Sequence, residues 1–154
     1  MTSPTDDRKT LLREFFEEVW NAGNVAACDR FLAPTYVVHH DPGDPWHGKT
    51  LDLQGFKDRV SQSRAPFPDQ RFEIRELVGE GDVIACSWLW NGTHLGQLAH
   101  FPPTGRLLTM SGITLYYFDA TRITGHWQVA DRLSIVQQLQ QASTAPTRPS
   151  ATRA

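Results

Sequence analysis

Val83-Ile-Ala-Cys-Ser-Trp-Leu-Trp-Asn-Gly-Thr93 is the stretch on which the fold turns. β-Branched and aromatic residues dominate it, and the turn-forming Gly79-Glu-Gly-Asp82 stands just before it. It therefore reads as a long strand entered from a hairpin. Alternate strand residues share a face, so Ile84, Cys86, Trp88 and Trp90 project together. A face carrying two tryptophans packs either on a core or on a flat ligand, which the aromatic quadrupole favours.

Working outward, Gln70 to Val78 reads as the other arm of the hairpin. Leu107 to Phe118 and Ile123 to Ala130 are two further strands, joined at Asp119-Ala-Thr121. The N-terminal third has a different period. Ser3-Pro4 followed by Asp6 has the form of a helix start. Leu11, Leu12, Phe15, Phe16, Val19 and Trp20 then recur at helical spacing. Gly23 closes that helix, and Asn24 is placed to cap a second, short one carrying Val25, Cys28, Phe31 and Leu32, with Pro34 as its stop. Tyr36-Val-Val-His-His40 reads as a short strand and Asp41-Pro-Gly-Asp-Pro45 as a loop. Leu53, Phe56 and Val60 outline a third helix that Pro66 and Pro68 terminate. Leu133, Val136 and Leu139 suggest a closing helical segment. Helices first and long strands later imply α+β, with helices on one face of a bent antiparallel sheet.

A chain of 154 residues that is 40% hydrophobic suits one domain with a proper core. That domain is expected over 1–140. Gln141 to Ala154 is rich in Ala, Ser, Thr, Pro and Arg and reads as a disordered tail. A net charge of −2 gives no footprint for nucleic acid or an anionic membrane surface. No apolar run approaches the roughly 20 residues of a membrane span, and the polar, acidic N-terminus is no signal peptide. Cys28 and Cys86 match no metal or redox spacing and read as buried thiols. A cytoplasmic location is expected.

The chemistry-bearing residues are few. Trp127, Val129 and Asp131 share one strand face, opposite His126, Gln128 and Ala130. A carboxyl beside Trp127 loses solvation, which moves its pKa toward the working pH of a general acid–base. Asp is equally a favoured helix cap, and both roles are open to Asp131. Tyr117 could donate to a developing enolate oxygen. His39, His40 and His47 with Asp41 and Asp44 resemble a metal cluster, but adjacent strand histidines point apart, so no metal is expected. His94 reads as a loop histidine near a cavity mouth, and His126 as an exposed or interface residue. No nucleophile elbow, phosphate loop or dinucleotide fingerprint is present.

Eight motifs occur in a familiar order: His40-Asp-Pro42, Gly55-Phe56, Ala65-Pro-Phe-Pro-Asp69, Gly79-Glu-Gly-Asp82, Trp90-Asn-Gly-Thr-His94, Pro102-Pro-Thr-Gly105, Ser111-Gly-Ile113 and Trp127-Gln-Val-Ala-Asp131. Together they resemble the SnoaL-like polyketide cyclase family. The resemblance implies a nuclear transport factor 2-like cone, a curved antiparallel sheet with three helices on its concave face. It implies intramolecular aldol-type ring closure on a polyketide-like or other hydrophobic secondary metabolite, without metal or organic cofactor. The family's single aspartate falls on Asp131, with His40 and Tyr117 as polar helpers. Trp88, Trp90, His94, Trp127 and Phe15 are the expected substrate-binding residues. The expected partners are a small hydrophobic or aromatic substrate and further copies of the chain, as a homodimer or homotetramer. Hydration, dehydration or epoxide opening in the same cavity is the first alternative. A non-catalytic binder of small hydrophobic ligands is the second.

Overall fold

The structure is a computed structural model and describes residues 2–144. The first helix, α1, spans Pro4–Phe15. Ser3 caps it by accepting the Asp6 amide at 3.1 Å, and Asp6 and Asp7 lie in its positively polarised first turn. The helix then widens into a π-helical segment, Phe16–Asn21, which buries Phe16, Val19 and Trp20. Gly23, at φ +72°, ends it. Asn24 makes no side-chain cap bond. A single 3-10 turn, Val25–Ala27, leads into the four-residue α2, Cys28–Phe31.

Six strands follow and interleave with the last two helices: β1 (Leu32–His40), β2 (Thr50–Asp52), α3 (Leu53–Arg64), β3 (Arg71–Glu80), β4 (Val83–Thr93), β5 (Leu107–Asp119), β6 (Arg122–Ala130) and α4 (Arg132–Thr144). They form one sheet in the order β2-β1-β6-β5-β4-β3. The long hairpins pair as expected, and Gly81, at φ +58°, turns the first of them. The sheet is nevertheless mixed, because β1 lies parallel to β6. Four α-helices are present where the resemblance implied three; the fourth is the closing α4, the helical segment that Leu133, Val136 and Leu139 suggested.

Two boundaries shift for physical reasons. Leu32 belongs to β1, not to the second helix, because it is buried opposite Ile123 of β6. Pro34 sits within β1, where a register irregularity between Leu32 and Val37 needs no ladder N–H. At the other end, α4 runs on to Thr144, past Gln141 where the tail was expected to begin. The remainder of that tail lies outside the described residues.

The helices pack on the face carrying Ile84, Cys86, Trp88 and Trp90, all buried. Phe15, wholly buried, is the hub of the core. Its ring meets Phe16, Phe31, Phe56 and Tyr116 at 5.7–6.3 Å between centroids. Trp88 lies against Gly112 of the neighbouring strand, where an added Cβ would fall 2.3 Å from the indole. The opposite face exposes Leu89, Ile113, Trp127 and Val129. Among the described residues no helix is long and apolar enough to cross a membrane.

Candidate active site: an aromatic cavity with a buried aspartate at its polar end

A cavity of about 610 Å³ opens between the sheet and the helices. Its walls are aromatic: Phe16 and Trp20 from the π-helical segment, Phe67, Phe72 from β3, and Trp88 and Trp90 from β4. α4 contributes Leu133, Ile135 and Val136 at one side. Gln138 anchors that helix by clasping the backbone of Thr109 at 3.0 and 2.7 Å. The widened helical turn matters because it presents Phe16 and Trp20 to the cavity while Phe15 stays in the core.

One end of the cavity is polar, and Asp41 organises it. Asp41 ends the extended run of β1 and is wholly buried. Four side chains converge on its carboxylate. His126 Nε2 donates at 2.8 Å, Arg132 Nη1 at 2.8 Å, Arg59 Nη2 at 3.2 Å and Gln128 Nε2 at 3.2 Å to both oxygens. Arg59 also bonds Asp44 at 3.2 Å, and Arg132 lies 3.7 Å from the same carboxylate. Two arginines, Arg59 buried and Arg132 partly exposed, thus meet two aspartates, and the charges at this end balance. Gly43, at φ +91°, makes room for Arg132, whose Cδ would lie 2.9 Å from a Cβ there.

Burial alone would raise the Asp41 pKa. The His126 hydrogen bond and the Arg132 and Arg59 charges outweigh it and hold the carboxyl at about 2. For His126, burial pushes the pKa below its usual value, against the opposing pull of Asp41. The pair is therefore carboxylate and neutral imidazole at neutral pH. An ionised carboxylate only accepts, so the proton sits on Nε2. The free lone pair is on Nδ1, which accepts from the Tyr36 hydroxyl at 2.6 Å. Tyr116 also lines the cavity, and its burial raises its pKa well above the usual phenol value.

Trp88 and Trp90 line the cavity, as expected from the sequence. Trp88 Nε1 donates to Thr114 at 2.9 Å, and Trp90 Nε1 to Gln70 at 3.3 Å. The other expected site residues lie elsewhere. Asp131 is exposed on the outer side of the sheet, and its Oδ1 accepts the Ser134 amide at 3.1 Å. It is the N-cap of α4, the second of the two roles open to it. Trp127 projects outward with it and stacks on His40 at 4.4 Å, so both leave the cavity. Tyr117 is likewise on the outer face, edge-on to His39. His94 is buried behind Phe67 and held by Thr104 at 3.0 Å, a layer behind the cavity wall. Phe15 is core. His126, expected to be exposed, is 2% exposed and faces the cavity.

Strand parity explains these displacements. Register pairs Thr114 with Gln128 and Tyr116 with His126, which puts His126 and Gln128 of β6 on the inner face. The residues missed were Asp41, Arg59, His126 and Gln128. One signal was available: Arg59 stands between Phe56 and Val60 on the apolar stripe of α3, and an arginine there needs a buried anion. Among the described residues no group of three or more His, Cys, Asp or Glu could hold a metal ion.

A mixed curved sheet wrapped around a ligand-sized cavity, with helices on its inner face, defines an α+β cone of the nuclear transport factor 2-like class. The model of the SnoaL-like polyketide cyclases matches residues 10–139, and the chain belongs to that family. It is similar to the nogalonic acid methyl ester cyclase of Streptomyces nogalater, 25% identical over 78% of this chain and 88% of that protein. A solved structure of a protein classed as a polyketide cyclase, from Acidithiobacillus ferrooxidans, is 50% identical. It covers 92% of this chain and 99% of its own, with a TM-score of 0.86. IdmH of Streptomyces antibioticus, also classed as a polyketide cyclase, is 26% identical over 90% of this chain and 99% of its own, with a TM-score of 0.73.

Proposed function

We propose that the protein is a cyclase or isomerase of a polyketide-like, largely flat hydrophobic metabolite, and that its acid–base group is His126 backed by Asp41. The observation that carries this reading is the neutral imidazole at the polar end of an aromatic cavity, one ring nitrogen on a buried carboxylate. Substrate filling the cavity competes with the Tyr36 hydroxyl for the Nδ1 lone pair. The imidazole takes an acidic Cα proton, and the electron pair left behind forms the enolate. Attack of that carbon on a second carbonyl forms the new C–C bond and an alkoxide, to which the imidazolium returns the proton. Asp41 supplies the counter-charge while the imidazolium exists. The aromatic walls provide binding area. Asp131 remains a cap of α4 in this reading.

The test compares His126→Gln with Asp131→Asn on polycyclic aromatic keto esters, nogalonic acid methyl ester first, followed by absorbance. Loss of turnover in the first variant with retention in the second is expected. The reverse pattern would return the acid–base role to Asp131. A second reading, water addition or epoxide opening, draws on the convergence of Arg59, His126, Gln128 and Arg132 at one end of the cavity, enough polar groups to hold a water. Reaction in ¹⁸O-water separates the two, since ring closure leaves the label in the solvent.

A further inference from the structure

The side chain of Gln128 has one orientation available, set from both ends. The Trp88 indole N–H only donates, so Thr114 Oγ1 accepts it. The Thr114 hydroxyl then directs its own proton to Gln128 Oε1 at 2.6 Å. At the other end Gln128 Nε2 faces both oxygens of Asp41 at 3.2 Å. Turning the amide over would set its carbonyl oxygen against a carboxylate held ionised. Nε2 carries two N–H bonds, and one is shared between the Asp41 oxygens. Gln128 is only part-buried and lines the cavity, one inner-face position along β6 from His126.

We propose that the second Gln128 N–H binds a carbonyl oxygen of the substrate and holds it as that oxygen gains charge, a role that rests on the acid–base reading above. The ligand class is a ketone or ester with an acidic α-hydrogen on a flat apolar body. His126 and Gln128 then stand side by side with complementary tasks. As the imidazole breaks the Cα–H bond, the freed pair becomes the enolate and the charge settles on oxygen, where the amide already points. A donor fixed in advance in an apolar cavity needs no reorganisation when the charge develops. The Trp88–Thr114 chain gives the aromatic wall a second purpose: it keeps the amide from turning over.

The experiment measures binding without turnover. The probes are the naphthyl ketone Prodan, whose emission reports hydrogen bonding to its carbonyl, and the analogue with CH₂ in place of that carbonyl. The parent should bind the ketone about tenfold more tightly than the analogue, the scale of one added hydrogen bond. Gln128→Met should bring the ratio to about one while leaving the analogue's affinity unchanged. Thr114→Val, which leaves the amide held at its Asp41 end alone and so less firmly aimed, should lower the ratio, and Thr114→Ser should keep it. If Gln128→Met does not fold by circular dichroism, the Thr114 pair decides. A ratio near one in the parent, or an unchanged ratio in both Gln128→Met and Thr114→Val, overturns the proposal. Neither result touches the acid–base reading, which stands or falls on the His126→Gln rate.

Discussion

The two faces of β6 differ in what they ask of the same kinds of residue. On the inner face, His126 and Gln128 are held by named partners, Tyr36, Asp41 and Thr114, inside a protein-lined cavity. On the outer face, Trp127, Val129 and Asp131 meet solvent, a stacked histidine and a helix end. Both faces contain an aromatic or imidazole ring and a polar group. Only the inner one couples its polar groups to a buried charge, so only there does a proton carry an electrostatic consequence. Adjacent positions in sequence thus differ more in chemistry than residues 85 positions apart, such as Asp41 and His126, which are joined by a hydrogen bond.

The sharpest break of this contrast is His126→Gln, which should lower kcat by roughly 10²–10⁴ in single-turnover assays with ligand affinity little changed. Next in size is the pair of tryptophans. Trp88→Ala removes a buried indole and should cost about 3–5 kcal/mol in urea unfolding. Trp127→Ala, 39% exposed, should cost about 1 kcal/mol or less. Equal losses would mean that another surface covers the outer face. Such covering is what the expected homodimer would supply, through Leu89, Ile113 and Val129, and light scattering at micromolar concentration would register it.

Acid should act on the inner face first. The folded-state pKa of His126 lies below its unfolded value, so the unfolded chain binds that proton first. Stability therefore falls as pH drops through and below the ordinary imidazole range. Asp41 titrates at about 2 when folded against 3.8 as its ordinary value. Its contribution, on the order of 2 kcal/mol, is present above pH 4 and lost as pH falls toward 2. On the proposed role of His126, turnover needs the neutral imidazole, so the rate should stay flat through neutral pH and decline only below the usual histidine pKa. In Asp41→Asn the Asp41 window should vanish from the pH dependence of melting. The smallest effect belongs to Asp131→Asn. Asparagine caps nearly as well, and stability should move by less than about 0.5 kcal/mol. A rate loss of a hundredfold there would collapse the distinction between the two faces.

Much of the fold was legible because period and punctuation agree. Val83 to Thr93 is a strand from end to end as its pattern implied, and Ser3-Pro4 begins the first helix. The parallel pairing of β1 with β6 was not legible, since nothing local in Leu32–His40 encodes a partner some 90 residues away. The site was half legible for the same reason. Alternation correctly separated His126 and Gln128 from Trp127 and Asp131, but a strand's pattern does not say which of its faces is inside. Trp127 argued for one face; register with Tyr116 and Thr114 settled the other. Asp41 was hidden in a turn-like Asp-Pro-Gly context that suits any loop.

The parallel seam between β1 and β6 also has a consequence for how the chain folds. Asp41 and His126 meet across this seam from positions 85 residues apart in the chain. The loop that closes is long, so this junction belongs among the later contacts to form. The cavity is lined by residues from Phe16 to Val136, so a ligand filling it would act as a clasp between the ends of the fold. By mass action it should raise the free energy of opening that seam by RT ln(1 + [L]/Kd). Amide exchange in β1 and β6 should slow on ligand binding more than in the β3–β4 hairpin, whose turn closes locally and needs no clasp.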